Sequence, residues 1–271
     1  MPDPKQNTLP TFNIKEIFSG KRILFFLLFM ALVLVGKQIN FSPLVGTENQ
    51  FFTLFQFFGP IAGAILGPVV GVLSVAFSQV ADVFIMGKEA NALTLLRMLP
   101  MLFAAFYFGT KGMGIKGIRM NGKPLLKVIS SSKNALFSIA VPLLCILAFV
   151  AHPVGRTVWF FSLFWLIPIL GKLLPENIPG SLIFRSLGAT FTAHAVGGAI
   201  WVWTVPMTAE AWIGLIPIVA YERILFALGI AGSYLVFNST LDYVVEKWKL
   251  STPLFLERKY SIIKFFSTKP F

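Results

Sequence analysis

Residues 59–71 read GPIAGAILGPVVG, with Gly59, Gly63, Gly67 and Gly71 at a strict four-residue period inside an uncharged apolar run. On one helix this spacing stacks the glycines on a single face, the small-xxx-small surface through which helices in lipid bring their backbones together. Pro60 and Pro68 each follow a glycine, and each removes an amide donor and favours a bend or a helix start. The segment therefore either packs two spans closely or marks a helix broken around a ligand.

Composition puts that motif in a membrane. Of 271 residues, 56% are hydrophobic and 13% charged, and the mean hydropathy is +0.79, far from the balance of a soluble domain. The expected fold is an all-α polytopic bundle. The single cysteine, Cys145, excludes an intrachain disulfide and a cysteine metal cluster. The polar start PDPKQNTLPTFN carries no cleavable signal, so the first span is expected to direct insertion. Apolar runs able to cross or nearly cross a ~30 Å hydrocarbon core lie at 22–38, 50–66, 67–86, 92–110, 134–151, 157–175, 182–205 and 212–238. They predict eight helices in one transmembrane domain over 22–238.

Sixteen of the 23 basic residues fall in the tail 1–22, the loop 111–133 and the tail 239–271. By the positive-inside rule all three segments face the cytoplasm, which requires an even number of crossings on each side of the loop. The basic excess is read as topogenic and as attraction to anionic lipid headgroups, with no nucleic-acid partner. The expected location is the plasma membrane. Gly112, Gly114 and Gly117 spell GxGxxG, but they follow a span in a lysine-rich loop and lack a strand–turn–helix setting. Asn238–Ser239–Thr240 matches a glycosylation sequon at the expected cytoplasmic end of the last helix, where it is not used.

Charges within spans need a partner, a wet cavity or a function. Asp82 and Arg97 flank the outer loop 87–91 at matching depth, and are expected to pair across the hairpin or to contact substrate. His194, in GATFTAHAVGGAIW, and Glu222 in the next span both reach a depth of ~15 Å. Arg223 points about 100° from Glu222 on a helix, so the two are not expected to neutralise each other simply by facing one another. A buried salt bridge among these three residues and a ligand-binding role both fit. Arg185 lies near the inner end, placed to snorkel. Trp201 and Trp203 flank the outer loop on different faces, and at least one is expected on the wall of a cavity suited to a flat, uncharged or zwitterionic organic molecule. No catalytic constellation, metal motif or phosphate-binding loop is present, so neither enzymatic activity nor a bound cofactor is expected.

The runs ALVLVGKQINFSPL, FFTLFQFFGPIAGAILGPVVGVLSVAFSQVADVF and NALTLLRMLPMLFAAFYFG, between Ala31 and Gly109, resemble the substrate-binding S components of energy-coupling-factor vitamin transporters. Gly59, Pro60, Gly63, Gly67, Gly71, Asp82 and Arg97 correspond in kind to that family's glycine–proline stretch, third-helix polar residue and fourth-helix arginine. The resemblance covers the first 40% or so of the chain. It departs from the family in helix number, eight against six, and in the first helix, where Ala31 stands without the usual AxxxA docking patch. It implies an outward-open binder of a vitamin-like organic micronutrient, with a transmembrane coupling subunit and two ATPases as partners that use the ATP. A secondary transporter or a non-catalytic assembly protein are the alternatives.

The basic-segment reading predicts that a cysteine introduced as Lys123→Cys, in a Cys145→Ser background, stays unlabelled by an impermeant maleimide on intact cells and reacts after lysis. Labelling of intact cells at residue 123 would reverse the topology.

Overall fold

The computed structural model describes residues 20–43, 51–87, 89–112, 133–175, 178–249 and 254–262. Helix α1 (Gly20–Lys37) leads into an antiparallel ribbon of β1 (Asn40–Pro43) and β2 (Phe51–Thr53), followed by α2 (Phe55–Leu66) and α3 (Pro68–Ile85). Next come α4 (Ala92–Leu96), α5 (Leu99–Gly109), α6 (Lys133–Ala151) and α7 (Pro153–Thr157). A 3-10 segment, Trp159–Trp165, joins α7 to α8 (Leu166–Leu173), and α9 (Ser181–Thr204) and the long α10 (Ala209–Lys247) complete the bundle. The basic segments 1–19 and 263–271, and most of the 111–133 loop including Gly114 and Gly117, lie outside the described residues.

The described chain is all-α apart from the ribbon, and four stretches are long and apolar enough to cross a membrane: α3, residues 92–109 through the α4–α5 junction, α6 and α10. Only 28–39% of each apolar window is buried inside the protein. Outward-facing side chains include Phe77 and Phe84 on α3, Leu144 and Leu147 on α6, and Ile224 and Leu228 on α10. Apolar surface on this scale is at home in lipid, not in water, and marks a helical membrane protein.

Several expected boundaries move. The span read from residue 50 becomes helical only at Phe55, because 51–53 pair with β1. The span read at 157–175 is divided among α7, the 3-10 segment and α8. The last helix continues past residue 238 to Lys247, and its 39 residues rise about 58 Å, well beyond a hydrocarbon core.

The glycine period does not make one groove. Gly67 has φ of +89° and separates α2 from α3, while Pro68 sits in the first turn of α3, where a missing N–H is harmless. The four glycines then serve different contacts. A Cβ at Gly59 would lie 2.6 Å from Met101 Sδ, one at Gly63 would overlap the Ala105 carbonyl, and one at Gly71 would lie 2.5 Å from the Ala62 carbonyl. Gly67 instead faces the Phe255 ring. Gly109 on α5 meets the Gly63 backbone in return, so α2 lies backbone to backbone against α3 on one side and α5 on the other.

Two apolar clusters grow from this arrangement. One joins Phe29 and Val33 of α1 to Ile61, Val75, Ala104, Phe108, Ala189 and Tyr234. The other joins Phe149, Phe161, Trp165, Phe191, Trp212 and Val219. Helices α9 and α10 contribute to both clusters and bind them into one body.

The bundle end where α5, α9 and residues 254–262 meet is closed by polar locks. Arg185, placed by the sequence to snorkel, has partners within the protein: its Nε donates to the Phe108 carbonyl at 2.7 Å and its Nη1 meets Glu257 at 2.6 Å. Asn238, the sequon residue, is fully buried and clasps Glu257 through two backbone bonds of 2.9 Å. Burial alone raises the Glu257 carboxyl, but the Arg185 charge and hydrogen bonds from Arg185 and Tyr234 outweigh it and hold it below its ordinary value. Lys172, unremarked in the sequence, is buried and donates to the Tyr107 and Thr110 carbonyls at the end of α5, where a cation suits the helix dipole.

The α2–α5 contact predicts that Gly63→Ala lowers thermal stability in detergent by about 1 to 3 kcal/mol through overpacking. Gly232→Ala, at a site with nothing within 4 Å of the added carbon, leaves it unchanged or raises it slightly. Equal melting temperatures for the two variants would contradict the close contact.

Candidate functional site

Arg97 owes its place to a local break in helix. Asn91 caps α4 by accepting from the Thr94 amide at 2.9 Å, and Pro100 falls in the first turn of the next helix. The chain therefore interrupts its helix at 97–98, and Arg97 becomes the residue that ends α4.

Between the ribbon and helices α9 and α10 lies a cavity of about 260 Å³. Arg97, His194, Trp201, Glu222 and Arg223 all line it, together with Phe51, Phe52 and Trp212. The ribbon is held over it by aromatic packing: Phe41 meets Phe57 and Phe226, and Phe52 meets Phe226, with centroids 5.3 to 5.7 Å apart. Gly197 and Gly198 make room on the α9 wall, since a Cβ at Gly198 would come within 2.6 Å of the Trp165 ring. A second, wider cavity of about 730 Å³ lies alongside, lined by Lys37, Gln79 and Asp82. Phe51, Gln56, Arg97 and Pro100 border both cavities.

Two expected site residues stand elsewhere. Trp203 is 58% exposed and donates Nε1–H to the Ala148 carbonyl at 2.9 Å, with its ring against His152. Two positions from Trp201 on a helix is most of the way to the opposite face, so only Trp201 reaches the cavity. Asp82 does not pair with Arg97: Lys37, at the end of α1 against α3, holds it at 2.9 Å. Arg97 turns instead over the Trp201 ring, 5.3 Å from its centre.

Glu222 and Arg223 do meet, contrary to the angular argument from their adjacent positions. The long guanidinium stem brings Nη2 to 3.7 Å from Glu222 Oε2, while Nη1 is 3.4 Å from Thr190 Oγ1. The guanidinium is packed between Phe52 and Phe226 at 4.9 and 4.8 Å. Ser42 of β1 donates to Glu222 Oε1, which ties the ribbon to α10. Trp165 Nε1 donates to His194 Nδ1 at 3.0 Å. Because indole N–H can only donate, that nitrogen carries no proton and the proton of the neutral ring rests on Nε2.

The polar balance of the cavity is one-sided. Arg97 Nε, Arg223 Nε and Trp212 Nε1 are buried without a hydrogen-bond partner, and every one is a donor. Among the described residues Arg97 has no hydrogen bond or ion pair at all; it rests on the Trp201 face. Ser42, Trp165, Trp212 and the ribbon phenylalanines were missed by sequence reasoning. Ser42 and the phenylalanines sit in or beside a loop with no motif, and the two tryptophans lie in apolar runs where nothing sets them apart. Among the described residues no three His, Cys, Asp or Glu side chains gather into a metal-ligating group. Comparison with protein-family models, with curated proteins and with solved structures returns no match.

In a double-mutant cycle, Lys37→Met and Asp82→Asn are expected to show a coupling of about 1 to 3 kcal/mol in detergent stability. The parallel cycle of Arg97→Gln with Asp82→Asn is expected to give a coupling within about 0.5 kcal/mol of zero.

Proposed function

We propose that this chain is a substrate-binding membrane subunit for uptake of a small organic, vitamin-like micronutrient, and that the cavity beneath the ribbon is its binding site. One observation carries the reading: five ionisable or aromatic residues from three separate stretches of sequence converge on a single cavity of about 260 Å³ under a short ribbon. Intramembrane charges mark function when they face a cavity, and a concave site with an apolar wall and a few placed polar groups is the usual form of a small-molecule site. The phenylalanines of the ribbon, with Trp201 and Trp212, supply flat faces for an organic ring.

In this proposal the chain crosses the plasma membrane eight times, with both termini and the 111–133 loop in the cytoplasm. It carries no phosphate-binding loop of the GxxxxGK[ST] kind, so energy comes from separate ATPases acting through a transmembrane coupling subunit, as the resemblance to S components implies. Arg97, His194, Trp201, Glu222 and Arg223 bind substrate; Asp82 belongs to the neighbouring cavity.

A second reading, a non-catalytic assembly protein, has its own observation. Lys37–Asp82 and Arg185–Glu257 are ion pairs that tie separate segments of the protein together. It differs from the first in what happens at the cavity.

Native mass spectrometry of the purified protein is expected to find a retained small organic molecule. Trp201→Ala and Glu222→Gln should each lower its occupancy about tenfold or more while the helical far-UV spectrum persists. A folded protein with no retained molecule, and uptake in cells indifferent to both substitutions, would favour the assembly reading.

A further inference from the structure

We infer that the ligand of this cavity is an organic monoanion, a flat molecule carrying one carboxylate or similar oxyanion, and that Arg97 is the residue that binds its charge. The inference rests on reading the cavity as the substrate site and goes beyond it by naming the ligand's charge and polarity.

Charge is counted first. Among the described residues, the charged ones lining the cavity are Arg97, Glu222 and Arg223. Glu222 already accepts from Ser42 and faces Arg223 at 3.7 Å, so that pair is internally compensated. Among the described residues Arg97 is left as one positive charge, since Asp82 in the adjoining cavity is held by Lys37 at 2.9 Å. An unpaired cation below a membrane surface is costly unless something of opposite charge joins it.

Hydrogen-bond polarity points the same way. Among the described residues, the unpartnered buried groups around the cavity are the N–H groups of Arg97, Arg223 and Trp212. His194 adds a further N–H, because its Nδ1 is occupied by Trp165. A cavity with surplus donors is satisfied by a ligand rich in acceptors, and the planar guanidinium fork matches a carboxylate in two parallel bonds. The body of the molecule then lies against Trp201, which already carries the guanidinium over its face at 5.3 Å, and against the ribbon phenylalanines. Arg97 also borders the wider cavity, so the anion-binding group stands where the two spaces meet. The uncharged or zwitterionic ligand expected from the sequence would leave Arg97 without a counter-ion or would bring a second cation beside it.

The test uses matched acids and amides on the full-length protein in phosphatidylcholine nanodiscs, where no anionic lipid can occupy the site. Benzoate, cinnamate and indole-3-acetate are compared with benzamide, cinnamamide and indole-3-acetamide by thermal stabilisation across a concentration series. At least one acid is expected to stabilise the wild type while its amide binds about thirtyfold more weakly or not at all. Arg97→Gln should remove that preference, and Arg97→Lys should keep part of it. An amide that stabilises the wild type as well as its acid overturns the monoanion and leaves the cavity reading standing, the more so if Trp201→Ala weakens both. Stabilisation of Arg97→Gln by the acid at wild-type concentrations also overturns it. If no compound of either kind stabilises the wild type, the monoanion and the binding site fall together. Should Arg97→Gln not fold, the acid-against-amide comparison in the wild type still decides.

Discussion

The contact of α2 with α5 sets the distances in this molecule. Where Gly63 lies on the Ala105 carbonyl and Gly109 on the Gly63 backbone, no side chain separates the helices. In lipid, where burying apolar surface gives little drive to association, such close packing supplies dispersion that longer side chains cannot. With α3 also seated on α2 at Gly71, the first half of the bundle has a thin centre. The break at 97–98 follows directly before α5, so the position of Arg97 is inherited from this contact.

The cavity exists because small and large residues meet unevenly on α9 and α10. On α9, Ala193, Gly197 and Gly198 leave space that Trp165 fills from behind and Trp201 bounds at one end. On α10, Pro217 cannot bond to the Ile213 carbonyl one turn before Glu222, which loosens the helix near the charged pair. Ser42 then fastens the ribbon to Glu222. Among the described residues, the ribbon is consequently held by the Ser42 bond and a set of ring contacts, with few main-chain bonds to the bundle.

Much of this was legible in the sequence, and the rest was hidden for identifiable reasons. Long apolar runs reveal membrane helices because lipid demands continuous hydrophobicity, and rare intramembrane charges stand out against them. Hence Arg97, His194, Glu222 and Arg223 could be named, and all line the cavity. Partners could not be read in the same way. Lys37 and Asp82 are 45 positions apart, and depth alone made Arg97 an equal candidate. The glycine period looked like one helical face because periodicity says nothing of a positive φ, and Gly67 breaks the face in two. Ribbon residues carried no signal, since a short strand pair between two helices has neither the length nor the alternation that marks a sheet.

The bonds made by residues 254–262 have a consequence for biosynthesis. The Phe255 amide donates to the Ile65 carbonyl at 2.9 Å, and its ring covers the bend at Gly67. A carbonyl at the end of α2, freed by the helix break, thus waits for an amide made 190 positions later. During synthesis the first helices enter the bilayer and pack while that carbonyl is still open. In the finished bundle the segment that closes it is gripped at Glu257 by Arg185 and Asn238 and by Tyr234, all on α9 and α10. The latch therefore joins the two ends of synthesis: it binds the bend between the first helices to a segment gripped by the last two, and a chain halted before residue 255 lacks the amide that this acceptor takes in the folded protein.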